Sequence, residues 1–157
     1  METLARFKEQ VVVITGASRG IGRGIALRFA AEGARLVVAA NEEKVHEVAE
    51  EIKAIGGQGI AIVCDVTDKQ SVVDLYDQTV ETFGQVDVSI QNAGVITIAE
   101  LENLSEAAWD RTMDVNTKGV FLCCQAAAKQ MVGQGRGRLI NTASGQARRG
   151  FIYTPHY

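Results

Sequence analysis

The chain predicts a doubly wound α/β fold, a parallel sheet with helices on both faces, and three observations carry that expectation. Short β-branched apolar runs alternate with segments whose apolar residues recur at helical spacing, from Val11 to Ser144. Every connection between runs is long enough for a parallel crossover. A glycine-rich turn leads from the first run straight into the first helical segment. Right-handed crossovers then stack helices above and below the sheet.

Taken in order, VVVIT (Val11 to Thr15) is short and apolar enough to be a strand buried on both faces. Ile21, Ile25 and Phe29 follow at helical spacing until Gly33, a C-terminal stop. RLVVAA (Arg35 to Ala40) is the second strand. Glu42 and Glu43 sit where a helix dipole favours acids, and Val45, Val48, Ile52 and Ile55 form the buried stripe behind them. Gly56 and Gly57 end that helix, and IAIVCD (Ile60 to Asp65) is the third strand.

Val72, Tyr76, Val80 and Phe83 line the next helix, closed by Gly84, and VDVSI (Val86 to Ile90) is the fourth strand. Ser105 caps a long helix whose expected face runs through Trp109, Met113, Asn116, Val120, Cys124, Ala127 and Met131. RLINTAS (Arg138 to Ser144) is the fifth strand.

The 157 residues make one domain of ordinary composition, 46% hydrophobic and 22% charged, with a formal net charge of −3. Lys and Arg are scattered among acids, so nucleic acid is not an expected partner, and Arg136, Arg138, Arg148 and Arg149 read as solvated loop charges. No apolar run approaches the roughly 20 residues of a membrane helix. METLARFKEQ lacks the apolar core of a signal peptide. Cys64, Cys123 and Cys124 have neither a CxxC spacing nor an even count, which argues against a disulfide framework or a metal site and for a reducing cytoplasm. Pro155 is the single proline, so no proline-rich linker divides the chain.

The turn TGASRGIGRG (Thr15 to Gly24) must bend sharply and let a ligand approach a helix N-terminus, and Gly16, Gly20 and Gly22 permit it. Its spacing, G-x-x-x-G-x-G, is neither the G-x-G-x-x-G dinucleotide fingerprint nor a nucleoside-triphosphate loop. Gly16-Ala17-Ser18-Arg19-Gly20 does fit the G-x-S-x-G elbow of hydrolases, with His46 and His156 as nominal partners. An elbow needs an earlier strand to supply an oxyanion N–H, and only ten residues precede Val11. A glycine turn with no ligand is the plainer alternative.

Here the sequence resembles the short-chain dehydrogenases/reductases. Their T-G-x-x-x-G-x-G motif is matched by Thr15, Gly16, Gly20 and Gly22, with Ser18, Arg19 and Ile21 between. Cys64-Asp65-Val66 stands where the family contacts adenine. Gln91-Asn92-Ala93-Gly94 follows the fourth strand; the family usually has Asn in the first position, so Gln91 departs from its pattern. Asn116 lies in the long helix, Ser144 ends the fifth strand, and Tyr157 follows thirteen residues later, as in the family.

The resemblance implies a Rossmann domain over residues 1–157 with five of the family's seven strands, incomplete at its C-terminus. It implies a cofactor, NADP or NAD, held by Gly16, Ser18, Arg19, Gly20, Ile21, Gly22, Asn41, Asp65, Val66, Asn92, Ala93 and Gly94. An acid at the end of the second strand would pair with the ribose hydroxyls of NAD. Ala40 and Asn41 stand there instead, and Arg19 resembles the basic residue that many members set against the 2′-phosphate, which leans toward NADP. Against that lean, Glu42 and Glu43 add negative charge nearby.

The implied reaction interconverts a small-molecule alcohol and a ketone or other carbonyl by hydride transfer. Tyr157 is the implied acid/base, Ser144 the partner of the substrate oxygen, and Asn116 the holder of a water and the proton path. Taken without the resemblance, Asn116 is a polar residue needing partners, Ser144 a turn residue, Tyr157 a terminal aromatic, His156 a loop residue and Asp114 a helix-surface acid.

A phenol ordinarily titrates near pH 10, and the family lowers this with a Lys one helical turn after the Tyr. No residue follows Tyr157 here. The expectation is therefore an N-terminal part of a longer enzyme, homo-oligomeric when whole, with negligible turnover by itself and an uncovered sheet edge at the fifth strand. An inactive nucleotide-binding module is the competing expectation.

Overall fold

The computed structural model describes residues 5–157. Five strands form one parallel sheet in the order β3-β2-β1-β4-β5: β1 (Val11–Thr15), β2 (Arg35–Ala40), β3 (Gln58–Val63), β4 (Val88–Gln91) and β5 (Arg138–Asn141). Between them run α1 (Gly20–Ala31), α2 (Val45–Ala54), α3 (Lys69–Phe83), and the pair α4 (Glu106–Met113) and α5 (Val120–Gln134). The expected doubly wound arrangement is the one observed.

The sheet divides the core by strand alternation. Val12, Ile14, Leu36, Val38 and Val88 point to the side of α1 and α2. Val13, Val37, Ala39 and Ile62 point to the side of α3 and α5, where Leu75, Tyr76, Cys123 and Met131 close over them. At fifteen fully or nearly buried residues on the first side alone, apolar burial is the main driving term for the fold.

The strand ends differ from the sequence expectation. β3 spans Gln58–Val63 rather than Ile60 to Asp65, because its partner β2 ends at Ala40, opposite Val63. β4 is Val88–Gln91 rather than Val86 to Ile90, and β5 stops at Asn141, opposite Gln91, rather than reaching Ser144. A ladder lasts only as long as its partner does.

Helix faces differ as well. On α1 the buried residues are Gly22, Ala26 and Ala30, while Ile25 and Phe29 are partly buried and Ile21 is exposed. Close approach to the sheet selects small residues, and the larger neighbours pack at the flanks. On α2 the acids Glu42 and Glu43 precede the helix instead of forming its first turn, and Ile55, the last residue of the expected stripe, is exposed.

The expected long helix is one continuous run from Glu106 to Gln134 with a π-helical segment, Asp114–Gly119, in its middle. The wider turn rotates the following face. The buried line is therefore Thr112, Gly119, Cys123, Ala127 and Met131, with Trp109 exposed and Asn116 half-buried. Gly119 is closely packed: a β-carbon there would come within 2.8 Å of Val66 Cγ2.

Gln91 is fully enclosed. With its amide oriented to satisfy both ends, Nε2 donates to Asn141 Oδ1 (2.8 Å) and Oε1 accepts from Ser89 Oγ (2.6 Å). Ser89 Oγ also lies 2.6 Å from the buried Tyr76 hydroxyl, whose pKa burial pushes up. The residue that departs from the family's usual Asn thus cross-links β4, β5 and α3.

Candidate functional site

The chain reverses direction across the sheet between β1 and β4, and ligands of open α/β sheets bind beyond the strand C-termini at such a point. A cleft of about 990 Å³ lies there. Its floor is the β1–α1 turn, with Gly16, Ser18, Arg19 and Ile21, and the loop after β4, Asn92 to Val95. One wall carries Ala40, Asn41 and Glu42 beyond β2 and Cys64 to Thr67 beyond β3.

The turn is shaped by what glycine lacks. Gly16 has φ +64°, and a β-carbon on it would sit 2.7 Å from Ala93 Cα. A β-carbon on Gly22 would collide with Gly16 O and with the Asn92 side chain. Asn92 Nδ2 donates to Thr15 O (3.2 Å) and Gly16 O (3.1 Å), and Thr15 Oγ1 accepts from the N–H groups of Asn92 (3.1 Å) and Ala93 (3.2 Å). Two loops 77 residues apart are thus clamped into one rigid floor. Arg19 caps α1 with extended backbone and no side-chain cap, so the first amides of α1 are open toward the cleft.

Ten of the twelve cofactor-site residues expected from the sequence line this cleft; Gly20 and Gly22 do not. Gly22 is buried under the turn, and Gly20, at φ +55°, shapes the backbone from outside. Asp65 is exposed beside the cleft, and its Oδ1 accepts from Thr67 N (2.9 Å) and Thr67 Oγ1 (2.8 Å). Ser18 is buried, and its hydroxyl donates to Glu42 Oε1 at 2.5 Å. Of the histidines weighed for a hydrolase, His46 faces Glu43 at 3.4 Å. His156, expected in a loop, lies in a turn and is buried there, and neither ring nitrogen has a partner among the described residues.

Asn116 lies on the π-helical segment, where its Oδ1 accepts from Val95 N and its Nδ2 donates to Val95 O, both at 2.8 Å. A side-chain amide here pairs with backbone as a strand would, and fixes the loop after β4. Ser144 is half-buried and accepts from Gln146 N (3.2 Å), heading a short 3₁₀ turn, Gly145–Ala147. Tyr157 is exposed, its N–H donating to Thr154 O at 3.2 Å. The two turns are tied by Thr154 Oγ1 donating to Gln146 Oε1 (2.5 Å), and Ala99 N donates to Tyr153 O (2.9 Å) across to the β4 loop. Asn116, Ser144 and Tyr157 are not among the residues of the cleft itself.

Sequence reasoning missed one side of the cleft. Ala107, Asp110, Arg111, Asp114 and Val115 line it from α4 and the π-helical segment. They recur at i, i+3, i+4, i+7 and i+8, a single helical face, but a mostly polar face reads as solvent-facing. Asp114, taken for a surface acid, borders the cleft while pairing with Lys118 at 2.7 Å. Thr15, which the sequence marks only as the first residue of the motif, anchors the β4 loop through its hydroxyl.

Elsewhere, Arg136 of the presumed solvated cluster pairs with Asp87 at 3.2 Å, and no helix among the described residues is long and apolar enough to cross a membrane. All three cysteines are free thiols; burial raises their pKa values, that of Cys123 to about 12, which leaves them weak nucleophiles.

A family model described as short chain dehydrogenase matches residues 10–157. The chain is 44% identical over 134 residues to the 3-oxoacyl-acyl-carrier-protein reductase FabG of Staphylococcus aureus, covering 84% of this chain and 54% of that protein. It is 39% identical over 150 residues to the BbsD subunit of a hydroxy(phenyl)methylsuccinyl-CoA dehydrogenase of Thauera aromatica, covering 95% of this chain and 60% of that one. A crystal structure of a short-chain type dehydrogenase/reductase from Mycobacterium marinum superposes with a TM-score of 0.94 at 37% identity, over 98% of this chain and 64% of that chain. The chain thus spans somewhat more than half the length of the curated relatives it matches.

Proposed function

This chain belongs to the short-chain dehydrogenase family, and from that premise we propose that it is the cofactor-binding part of a nicotinamide-dinucleotide-dependent oxidoreductase that interconverts an alcohol and a carbonyl. The observation that carries the reading is the floor of the cleft. Two glycines without room for a β-carbon and an uncapped helix N-terminus leave backbone amides free for a diphosphate. The cleft is also large enough for a ligand of dinucleotide class.

In this reading Gly16, Ser18, Gly20 and Ile21 form the diphosphate turn, and Gly22 allows the turn to pack. Asp65 and Val66 hold the adenine, with the second carboxylate oxygen of Asp65 free to accept. Asn92 keeps the floor rigid, and Ala93 and Gly94 face the ligand. Arg19 and Asn41 border the adenosine end: Arg19 supports NADP, and the carboxylate of Glu42 weighs against it. The bound dinucleotide would supply or accept the hydride.

The protein's share of the chemistry is one proton and an orientation. Tyr157 would move the proton at its phenolic oxygen, Ser144 would hydrogen-bond the substrate oxygen, and Asn116 would hold the loop and water beside them. These three roles rest on family resemblance and on the tie between the Ser144 and Tyr157 turns through Gln146 and Thr154. The whole enzyme is proposed to be a cytoplasmic homo-oligomer. The free thiols support the compartment, and exposed Phe121 and Val132 on α5 support the assembly.

The test is fluorescence titration of the protein with NADH and NADPH, followed by calorimetry. Saturable binding of either at micromolar to submillimolar concentration is the expected result. Absence of binding for both would overturn the reading.

A further inference from the structure

Resting on that oxidoreductase reading, we infer that the substrate is an amphipathic anion, an apolar body carrying a carboxylate or a phosphate. Its body lies on exposed apolar residues shared by the β4 loop and residues 151–153, and its charge meets Arg148 and Arg149. Both sets of residues sit on the segment that holds Ser144 and Tyr157 or are bonded directly to it.

The apolar part comes from two stretches that meet. Ile96, Ile98 and Leu101 follow β4, and Phe151, Ile152 and Tyr153 precede Tyr157; all of them are exposed, Ile98 at 76% and Ile152 at 70%. Ala99 N donates to Tyr153 O at 2.9 Å, which lays the first stretch against the second. The rings of Phe151 and Tyr153 pack edge to face at 6.5 Å. A single exposed apolar side chain needs no explanation, but a group of them on joined loops beside the proposed reacting groups does. A ligand that covers them gains free energy in proportion to the apolar area removed from water.

The charged part follows from an asymmetry along the chain. Every Asp and Glu stands at or before Asp114, and the charged side chains of residues 115–157 are all Lys or Arg. Lys118 and Arg136 are taken up by Asp114 and Asp87, Lys129 lies on α5, and Arg138 opens β5 at the end of the sheet away from Ser144. Arg148 and Arg149 are exposed and in no ion pair among the described residues. They close the turn that Ser144 heads, Arg148 N donating to Gly145 O (3.1 Å) and Arg149 N to Gln146 O (3.2 Å). Gln146 accepts from the buried Thr154, so this turn is fixed to the stretch that carries Phe151, Ile152 and Tyr153. Glu100 and Glu102 flank Leu101 on the β4 loop, but neither joins an arginine in an ion pair among the described residues. Two guanidiniums without an acid partner, beside an apolar surface, suit an anionic group on an apolar body.

The experiment measures probe binding to the 157-residue protein saturated with NADH, by saturation-transfer NMR. The probes are 3-hydroxyoctanoate and octyl phosphate, 2-octanol without the charge, and 3-hydroxybutyrate without the apolar body. The better of the two amphipathic anions should bind about tenfold tighter than 3-hydroxybutyrate and about fivefold tighter than 2-octanol, and which of the two it is names the anionic group. Arg148→Gln with Arg149→Gln should cut the margin over 2-octanol to about twofold or less, and Ile152→Ser should cut the margin over 3-hydroxybutyrate about threefold. Melting temperatures confirm that the variants fold. If the arginine variant does not fold, salt decides on the unaltered protein: about 0.5 M NaCl should erase the margin over 2-octanol, and a margin that salt leaves intact overturns the inference. NADH binding without this order of probes, or with an order that the folded variants leave unchanged, overturns the inference alone. A dimer that Ile152→Ser dissociates, with no probe bound, assigns the patch to a second copy and overturns it too. Failure to bind either NADH or NADPH overturns the oxidoreductase reading and the inference together.

Discussion

The β1–α1 turn and the segment from β5 to Tyr157 are the two regions assigned functional residues, and they are built differently. The first is clamped: β1 is buried along its whole length, and Asn92 and Thr15 lock the glycine turn to the β4 loop by four hydrogen bonds. The second lies at the sheet edge, where every residue of β5 is exposed, and its turns are held by single bonds such as Gln146–Thr154. The proposed cofactor-binding groups are therefore pre-organised by the first four strands. The proposed reacting groups sit on the least buttressed part of the chain.

Substitutions at the clamp should break this contrast most sharply. Gly22→Ala puts a methyl against Gly16 O, a backbone atom that cannot yield, and should cost about 3 kcal/mol or more of stability with loss of dinucleotide binding. Denaturant melts and the NADH titration read both. Gln91→Ala, which unlinks the two regions and strands the Tyr76–Ser89 pair in a cavity, should cost roughly 2–4 kcal/mol. If it costs under 1 kcal/mol, β4 and β5 do not communicate through Gln91. Asn92→Ala should cost about 1–2 kcal/mol and weaken dinucleotide binding about tenfold, with Asn116→Ala a comparison at the next loop.

Acid should act on a third place, away from both regions. Hydrogen bonding to Arg6, and to Arg28 beside it, holds the Glu32 carboxyl at about 2. The folded-state value is depressed, so its contribution to stability is full above the ordinary carboxylate range near 4.5 and fades as pH falls toward 2. Glu32→Gln should flatten that part of a pH–stability curve. A curve of unchanged shape would dismiss the ion pairs as contributors. The smallest effect is expected at the exposed Tyr157: Tyr157→Phe should shift stability by less than about 0.5 kcal/mol and leave NADH affinity unaltered. A larger loss would mean that the edge segment is buttressed after all.

Much of the site was legible because backbone demands leave marks on residue type. Gly16 and Gly22 are where no β-carbon fits, and spacing exposed them. The short continuous apolar runs of β1 and β2 told buried strand from helix, and the structure shows the two core layers that such double-sided burial requires. Helix faces were less legible. On α1 the sheet-facing line is Gly22, Ala26 and Ala30, and a rule that follows large apolar residues picks its neighbours. On the α4–α5 run the π-helical segment shifts the face midway, and no fixed period anticipates an inserted residue.

The sequence by itself determined the fold class, the crossover pattern, the glycine turn after β1 and the family, because these follow from local periodicity and from glycines that the backbone requires. The tertiary structure alone decided that α4 walls the cleft, that Gln91 joins three elements, and that Glu42 turns inward onto Ser18. Each of these is a contact between residues far apart in the chain. Its existence depends on where two elements come to rest, and that is set by packing and not by the letters at either end.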